Sequence, residues 1–202
     1  MKNFNPLFIV GHKRSGSTHL MRLLNLHPKI FISNETDILW ILYQLSKGNK
    51  PFQKHPFDGA MGMENCLEKY GDLLGSDKSP FENFITIQKH VMEDGFIGLP
   101  PQQKPHLSYV GDQKPFQNAS PELAGFLKEH FPDTRFIHLA RHPFAVVSSC
   151  KKFLSKGGWM WKELSEDEIF NRWALVESWV AREKEKGEIP IHDIRYEDLV
   201  TN

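Results

Sequence analysis

The sequence predicts an α/β protein, a mostly parallel sheet flanked by helices on both faces. Two observations carry that prediction. Short apolar runs rich in β-branched and aromatic residues recur along the chain, and stretches with apolar residues at helical spacing alternate with them. A third observation narrows it: the first run passes through a glycine turn straight into the first helix.

In chain order, the run 7–10 (LFIV) is apolar at successive positions, as a strand covered on both faces requires. A helix over 17–26, a short strand at 30–32 and a helix over 37–45 follow. Beyond residue 117 the pattern resumes with a helix at 120–130, a strand at 136–139, a helix at 144–154 behind a proline turn, a long helix at 166–186 and a last strand at 189–194. The long helix carries Ile169, Trp173, Val176 and Trp179 at helical spacing, a core-packing pattern to which no chemistry is assigned. Between about 47 and 117 the composition shifts to Pro, Gly, Gln, Lys and His, with two less regular helical patches at 63–74 and 82–92. This region is expected to be a loop-rich insertion between the strand halves, of the kind that shapes binding pockets.

A chain of 202 residues can bury one substantial core and is short for two, so a single domain over 1–202 is expected. The formal net charge is zero and no long Lys/Arg block occurs, which argues against a nucleic-acid or anionic-membrane surface. Any bound anion must be met by a local site. Cys66 and Cys150 show neither a CxxC nor a Cys/His spacing, which favours reduced thiols and no metal site. The N-terminal apolar stretch is too short for a signal peptide or membrane anchor, and the expectation is a soluble, cytoplasmic protein.

The segment FIVGHKRSGSTHLMRLL reads as strand, glycine turn and amphipathic helix. Backbone N–H groups of such a turn and helix start converge on a phosphate, with Ser15, Gly16, Ser17 and Thr18 as the cradle. A nucleotide-hydrolysing P-loop has lysine after the second glycine, where this chain has Ser17. The positive charge sits earlier, at Lys13 and Arg14, so the loop can hold a 5′-phosphate while a cation leans toward the group attached to it. A second anion site is read from FIHLARHPFAVVSSC, a buried strand ending at Arg141 and a helix carrying Ser149. Two phosphate sites on one sheet suggest a nucleotide phosphorylated at two places.

These segments resemble those of sulfotransferases. GHKRSGST resembles their 5′-phosphosulfate loop, RHPFAVVSS their 3′-phosphate motif, and IRYEDLV a Tyr-Glu-Asp-Leu segment further along. RSGST followed by HLMRLLNLHPKIFISNET is most similar to tyrosylprotein-type and related bacterial sulfotransferases, and RHPFAVV also resembles sulfotransferase domains of polyketide synthases. The resemblance implies a P-loop-like α/β fold. It also implies 3′-phosphoadenosine-5′-phosphosulfate (PAPS) as donor, no metal, and a small-molecule, carbohydrate or peptide acceptor. Relatives continue beyond the YEDLV segment, so a chain stopping at Asn202 is expected to be truncated.

Sulfuryl transfer needs one base and at least one cation. Glu35, in NETD just after the 30–32 strand, is the candidate base and by resemblance occupies the position of the glutamate base of the tyrosylprotein-type enzymes. His12 and His19 flank the loop as alternatives. Arg14 is the first choice for the bridging cation, with Lys13 able to share that duty. Lys114, in DQKPF, resembles the lysine of a KxP-type motif one residue off its spacing, and Lys78 in SDKSPF matches the wording but lies far upstream. Tyr196 is placed near the adenine by resemblance. Two other readings stay open, a P-loop small-molecule or nucleotide kinase and a non-catalytic nucleotide-binding module. The oligomeric state is not legible.

Overall fold

The structure, a computed structural model, describes residues 4–55, 59–155 and 164–201. Strands β1 (Asn5–Val10), β2 (Ile30–Asn34), β3 (Tyr109–Gln113), β4 (Arg135–Ala140) and β5 (Ile191–Arg195) form one sheet in the order β2-β3-β1-β4-β5. Every pairing is parallel. Because neighbouring residues of a strand point to opposite faces, the unbroken burial of β1 from Pro6 to Val10 means that helices cover both sides of its sheet position. The predicted α/β fold is the observed one, with the sheet wholly parallel.

Helices α1 (Ser17–Leu26), α2 (Ile38–Ser46), α6 (Pro121–His130), α7 (Pro143–Ser155) and α8 (Glu166–Lys186) fall where the periodicity puts them, within a residue or two at their ends. In the 47–117 region the structure shows α3 (Met61–Tyr70), running into a 3-10 turn, and α4 (Pro80–Asp94). Helix α4 starts on a capping box, Ser79 with Glu82, and a proline at its first position. Strand β3 and the short α5 (Pro115–Asn118) also lie in this region, and the final helix α9 (Tyr196–Thr201) follows β5 directly.

Strand β3 is the element that sequence reasoning missed. It is hydrogen-bonded between β2 and β1, so part of the presumed insertion is an inner strand of the sheet. Its sequence YVGDQ has only two β-favouring residues, followed by glycine and two polar side chains that are buried. Tertiary pairing overrides that weak propensity. The core beside it is aromatic, with Phe8, Phe84 and Phe131 meeting edge to face at centroid distances of 5.6, 6.2 and 5.3 Å. The side chain of Asn118 fastens α5 beneath β1, donating to the carbonyls of Ile9 and Asp112 at 3.2 Å each.

Candidate functional site

The carboxyl ends of all five strands open on one cleft of about 410 Å³. The turn after β1 contributes Lys13, Arg14 and Gly16, and the start of α1 adds Ser17 and Thr18. Glu35 follows β2, Gln113 ends β3 with Lys114 and Pro115 next, Arg141 follows β4 and Tyr196 follows β5. Helix α7 supplies Ser149 and Phe153. The sheet changes direction between β1 and β4, the first leading toward β2 at one edge and the second toward β5 at the other, and open α/β sheets bind ligands at such a point.

One wall gathers cations around an uncapped helix start. No side chain caps α1 and its first turn holds no acidic residue, so the amides that helix geometry leaves without acceptors face the cleft. Gly16 adopts φ 96°, and a Cβ there would lie 2.4 Å from the Tyr196 ring, so the tyrosine can close over the loop only on glycine. Arg14 donates from Nε to Ser149 Oγ at 3.4 Å, with its guanidinium carbon 4.7 Å from the centre of the Phe153 ring. Arg141 donates from Nη1 to the Arg14 carbonyl at 2.7 Å and stacks 4.2 Å from the centre of Tyr196. Its Nε is buried with no acceptor among the described residues. The indole of Trp173, read from sequence as pure packing, donates to the Arg141 carbonyl at 3.1 Å. Glu197 accepts from the His142 amide at 3.0 Å; burial raises its pKa, but this bond and the charges of Arg195 and Arg141 outweigh that and leave it below the usual carboxylate range.

The opposite wall is the turn between β2 and α2. Glu35 (φ 51°) and Asp37 (φ 56°) both adopt the left-handed conformation that non-glycine residues avoid, at a cost of order 1–3 kcal/mol each. Successive residues of β3 and α5 hold the turn in place. The Glu35 amide donates to the Gln113 carbonyl at 3.1 Å, and Thr36 donates to Asp112 Oδ1 from its amide at 3.2 Å and its hydroxyl at 3.0 Å. Asp37 is fully buried and pairs with Lys114 Nζ at 2.9 Å and Gln117 Nε2 at 2.7 Å. Burial pushes the Asp112 carboxyl up, against the bonds from Ser33 and Thr36. Gln113 then ties the two walls together, its Nε2 donating to Ser17 Oγ at 2.8 Å.

Thus Lys13, Arg14, Gly16, Ser17, Thr18, Glu35, Lys114, Arg141, Ser149 and Tyr196 share one cleft. Ser15 does not line it, its side chain being buried and its amide donating to the His12 carbonyl at 3.2 Å. Lys78 lies outside, donating to the Leu73 carbonyl at 3.2 Å. His12 is buried beneath the loop, its Nδ1 donating to the Lys13 carbonyl at 2.6 Å, and burial pushes its pKa down to about 4. Neither it nor the exposed His19 lines the cleft. Sequence reasoning missed Gln113, Asp37 and Phe153. Only Phe153 left a signal, since it stands four residues beyond Ser149 on the same helix face.

A scan against family models matches residues 6–202 to the sulfotransferase family. The chain belongs to the sulfotransferase family. Solved structures agree on the fold of this sulfotransferase. The sulfotransferase domain from the curacin biosynthetic pathway is 20% identical with a TM-score of 0.58, covering 100% of this chain and 70% of its own. The sulfotransferase domain of the Synechococcus PCC 7002 olefin synthase is 20% identical with a TM-score of 0.59 over 99% of this chain and 69% of its own. A sulfotransferase from Alicyclobacillus acidocaldarius is 18% identical with a TM-score of 0.56 over 100% of this chain and 76% of its own. No curated protein matches. Among the described residues no helix of the sulfotransferase is long and apolar enough to cross a membrane, and no group of three or more His, Cys, Asp or Glu could hold a metal ion.

Proposed function

We propose that the cleft takes PAPS as sulfuryl donor, with its 5′-phosphosulfate at the β1–α1 turn and its 3′-phosphate at Arg141 and Ser149. The observation that supports this most is the convergence, at the carboxyl ends of five parallel strands, of an uncapped helix start, the cations Lys13, Arg14, Lys114 and Arg141, and the carboxylate of Glu35. The Arg141 guanidinium lines the cleft and suits a second phosphate, and the Tyr196 ring stacked on that arginine supplies an apolar face for the adenine.

In the transfer, Glu35 takes the proton from an acceptor hydroxyl or amine as its oxygen or nitrogen bonds to sulfur and the sulfur–oxygen bond to the donor phosphate breaks. Arg14, helped by Lys13, stabilises charge on the sulfuryl oxygens and on the departing phosphate, while Lys114 adds positive charge from the opposite wall. The acceptor is a small molecule, a carbohydrate or a peptide. Its seat is formed in part by the 47–117 region, because α3 packs against the Glu35 turn so closely that a Cβ at Gly62 would lie 1.9 Å from the Glu35 carbonyl oxygen.

A thermal-shift titration tests the donor class, with 3′,5′-adenosine bisphosphate (PAP), the desulfated donor, beside ATP with magnesium. A ligand at a hundred times its Kd adds about 2.7 kcal/mol, and each kcal/mol moves the midpoint of a domain this size by about 2–4 °C. A rise of several degrees with PAP and little with ATP is expected. Stabilisation by ATP with magnesium alone overturns the reading.

A further inference from the structure

Asp37 stands two residues after Glu35, fully buried, in a turn whose left-handed backbone no glycine eases. One carboxylate oxygen takes the Lys114 ammonium at 2.9 Å and the other the Gln117 amide at 2.7 Å. Lys114 and Gln117 flank Pro115 at the start of α5, directly after the strand that also binds Glu35 and Thr36 through Gln113 and Asp112. The candidate base and a candidate cation therefore stand on separate elements joined through one buried carboxylate. Helix α3 presses on the same place, since a Cβ at Gly62 would also lie 2.6 Å from Asp37 Oδ2.

We propose that Asp37 is a positioning residue for the transfer: it sets the Lys114 ammonium and the Glu35 carboxylate relative to each other across the cleft. The inference rests on the roles given above to Glu35 and Lys114. A buried ammonium without its counter-ion shifts toward other acceptors or loses its proton, and either change moves charge away from the sulfuryl oxygens. The left-handed turn, relieved of one of its anchors, relaxes toward ordinary backbone and shifts Glu35. The groups proposed to hold the two phosphates of PAP stand on the other wall, so Asp37 governs the rate and not the grip on PAP.

The test uses Asp37→Asn, with Gln117→Leu as a milder second variant that removes the Gln117 donor to Asp37. Calorimetric titration with PAP counts the intact donor sites. Turnover is followed as PAP released from PAPS with a panel of phenols, alcohols and amines, and with water as background acceptor. The expected result is PAP affinity and the KM for PAPS within about twofold of the unmodified protein, with kcat per PAP-binding site lower by roughly tenfold to a hundredfold in Asp37→Asn and by a few-fold in Gln117→Leu. Unchanged kcat per site overturns the inference, as does a kcat that falls only in proportion to PAP sites lost. If Asp37→Asn does not fold, Gln117→Leu decides by the same criterion. A protein that binds PAP but turns over with no acceptor even when unmodified fails earlier, at the catalytic reading of the cleft.

Discussion

The two walls of the cleft are built on opposite plans. On the wall of the β1–α1 turn, the cations Arg14 and Arg141 are partly or wholly exposed and rest on aromatic rings, a serine hydroxyl and a backbone carbonyl. Contacts of that kind contribute about 0.5–1 kcal/mol each and are readily exchanged for a phosphate. On the Glu35 side, the polar groups are buried, the backbone is strained and successive residues of one strand and one helix hold the turn. A buried network with its partners in place is rigid, and removing one partner leaves the other uncompensated. On the proposed reading, a donor that must enter and leave meets adaptable side chains, whereas a base that must stand at a fixed place is clamped.

Substitutions on the two walls should therefore fail in different ways. The largest effect is expected from Glu35→Gln, which removes the proposed proton acceptor and leaves the other wall untouched: kcat falls by about 10²–10⁴-fold with PAP affinity unchanged. Steady-state kinetics paired with PAP calorimetry checks this, and equal loss in both quantities would dissolve the contrast. Next comes Arg141→Ala, which deletes charge-assisted donors and the stack on Tyr196. Bonds to a charged group contribute about 1.5–3 kcal/mol, so PAP should bind more weakly by roughly tenfold to a hundredfold. Arg141→Lys should recover only part of that, because an ammonium lacks the planar fork.

The same contrast explains which parts of the molecule were legible in the sequence. The wall of the β1–α1 turn is written in short contiguous strings, so that Gly16, Ser17 and Thr18 sit beside Lys13 and Arg14, and Arg141 and Ser149 lie on one strand-to-helix connection. Local chemistry there dictates local conformation. Glu35 was legible as a carboxylate after a strand, but its clamp was not, because Asp112, Gln113, Lys114 and Gln117 become neighbours of the turn only once β3 inserts between β2 and β1. A strand spelled YVGDQ hides among loops, and everything anchored to it stayed hidden as well. His12 shows the converse, since a histidine inside the loop string looks chemical until its burial and its bond to the Lys13 carbonyl are seen.

The smallest expected effect concerns the far edge of that wall, where β5 delivers Tyr196. On β4, three residues before Arg141, His138 is buried with Nδ1 at 2.9 Å from Asp193 of β5 and Nε2 at 3.4 Å from Glu177 of α8. Lys184 also pairs with Asp193. Burial alone would lower the pKa of His138, but the two carboxylates outweigh it and the pKa is raised. A histidine whose folded pKa exceeds its unfolded value near 6.5 stabilises the fold fully below that pH and loses the contribution as pH rises through the folded pKa. Urea unfolding should thus show stability declining from about pH 6 toward pH 8, by about 1 kcal/mol or less because Asp193 is half exposed and screened. His138→Asn should flatten that decline while leaving PAP binding at pH 8 close to that of the unmodified protein. A variant with the same slope would show that the link between β4 and β5 owes nothing to the charge on His138, and that the parallel ladder alone keeps Tyr196 over the β1–α1 turn.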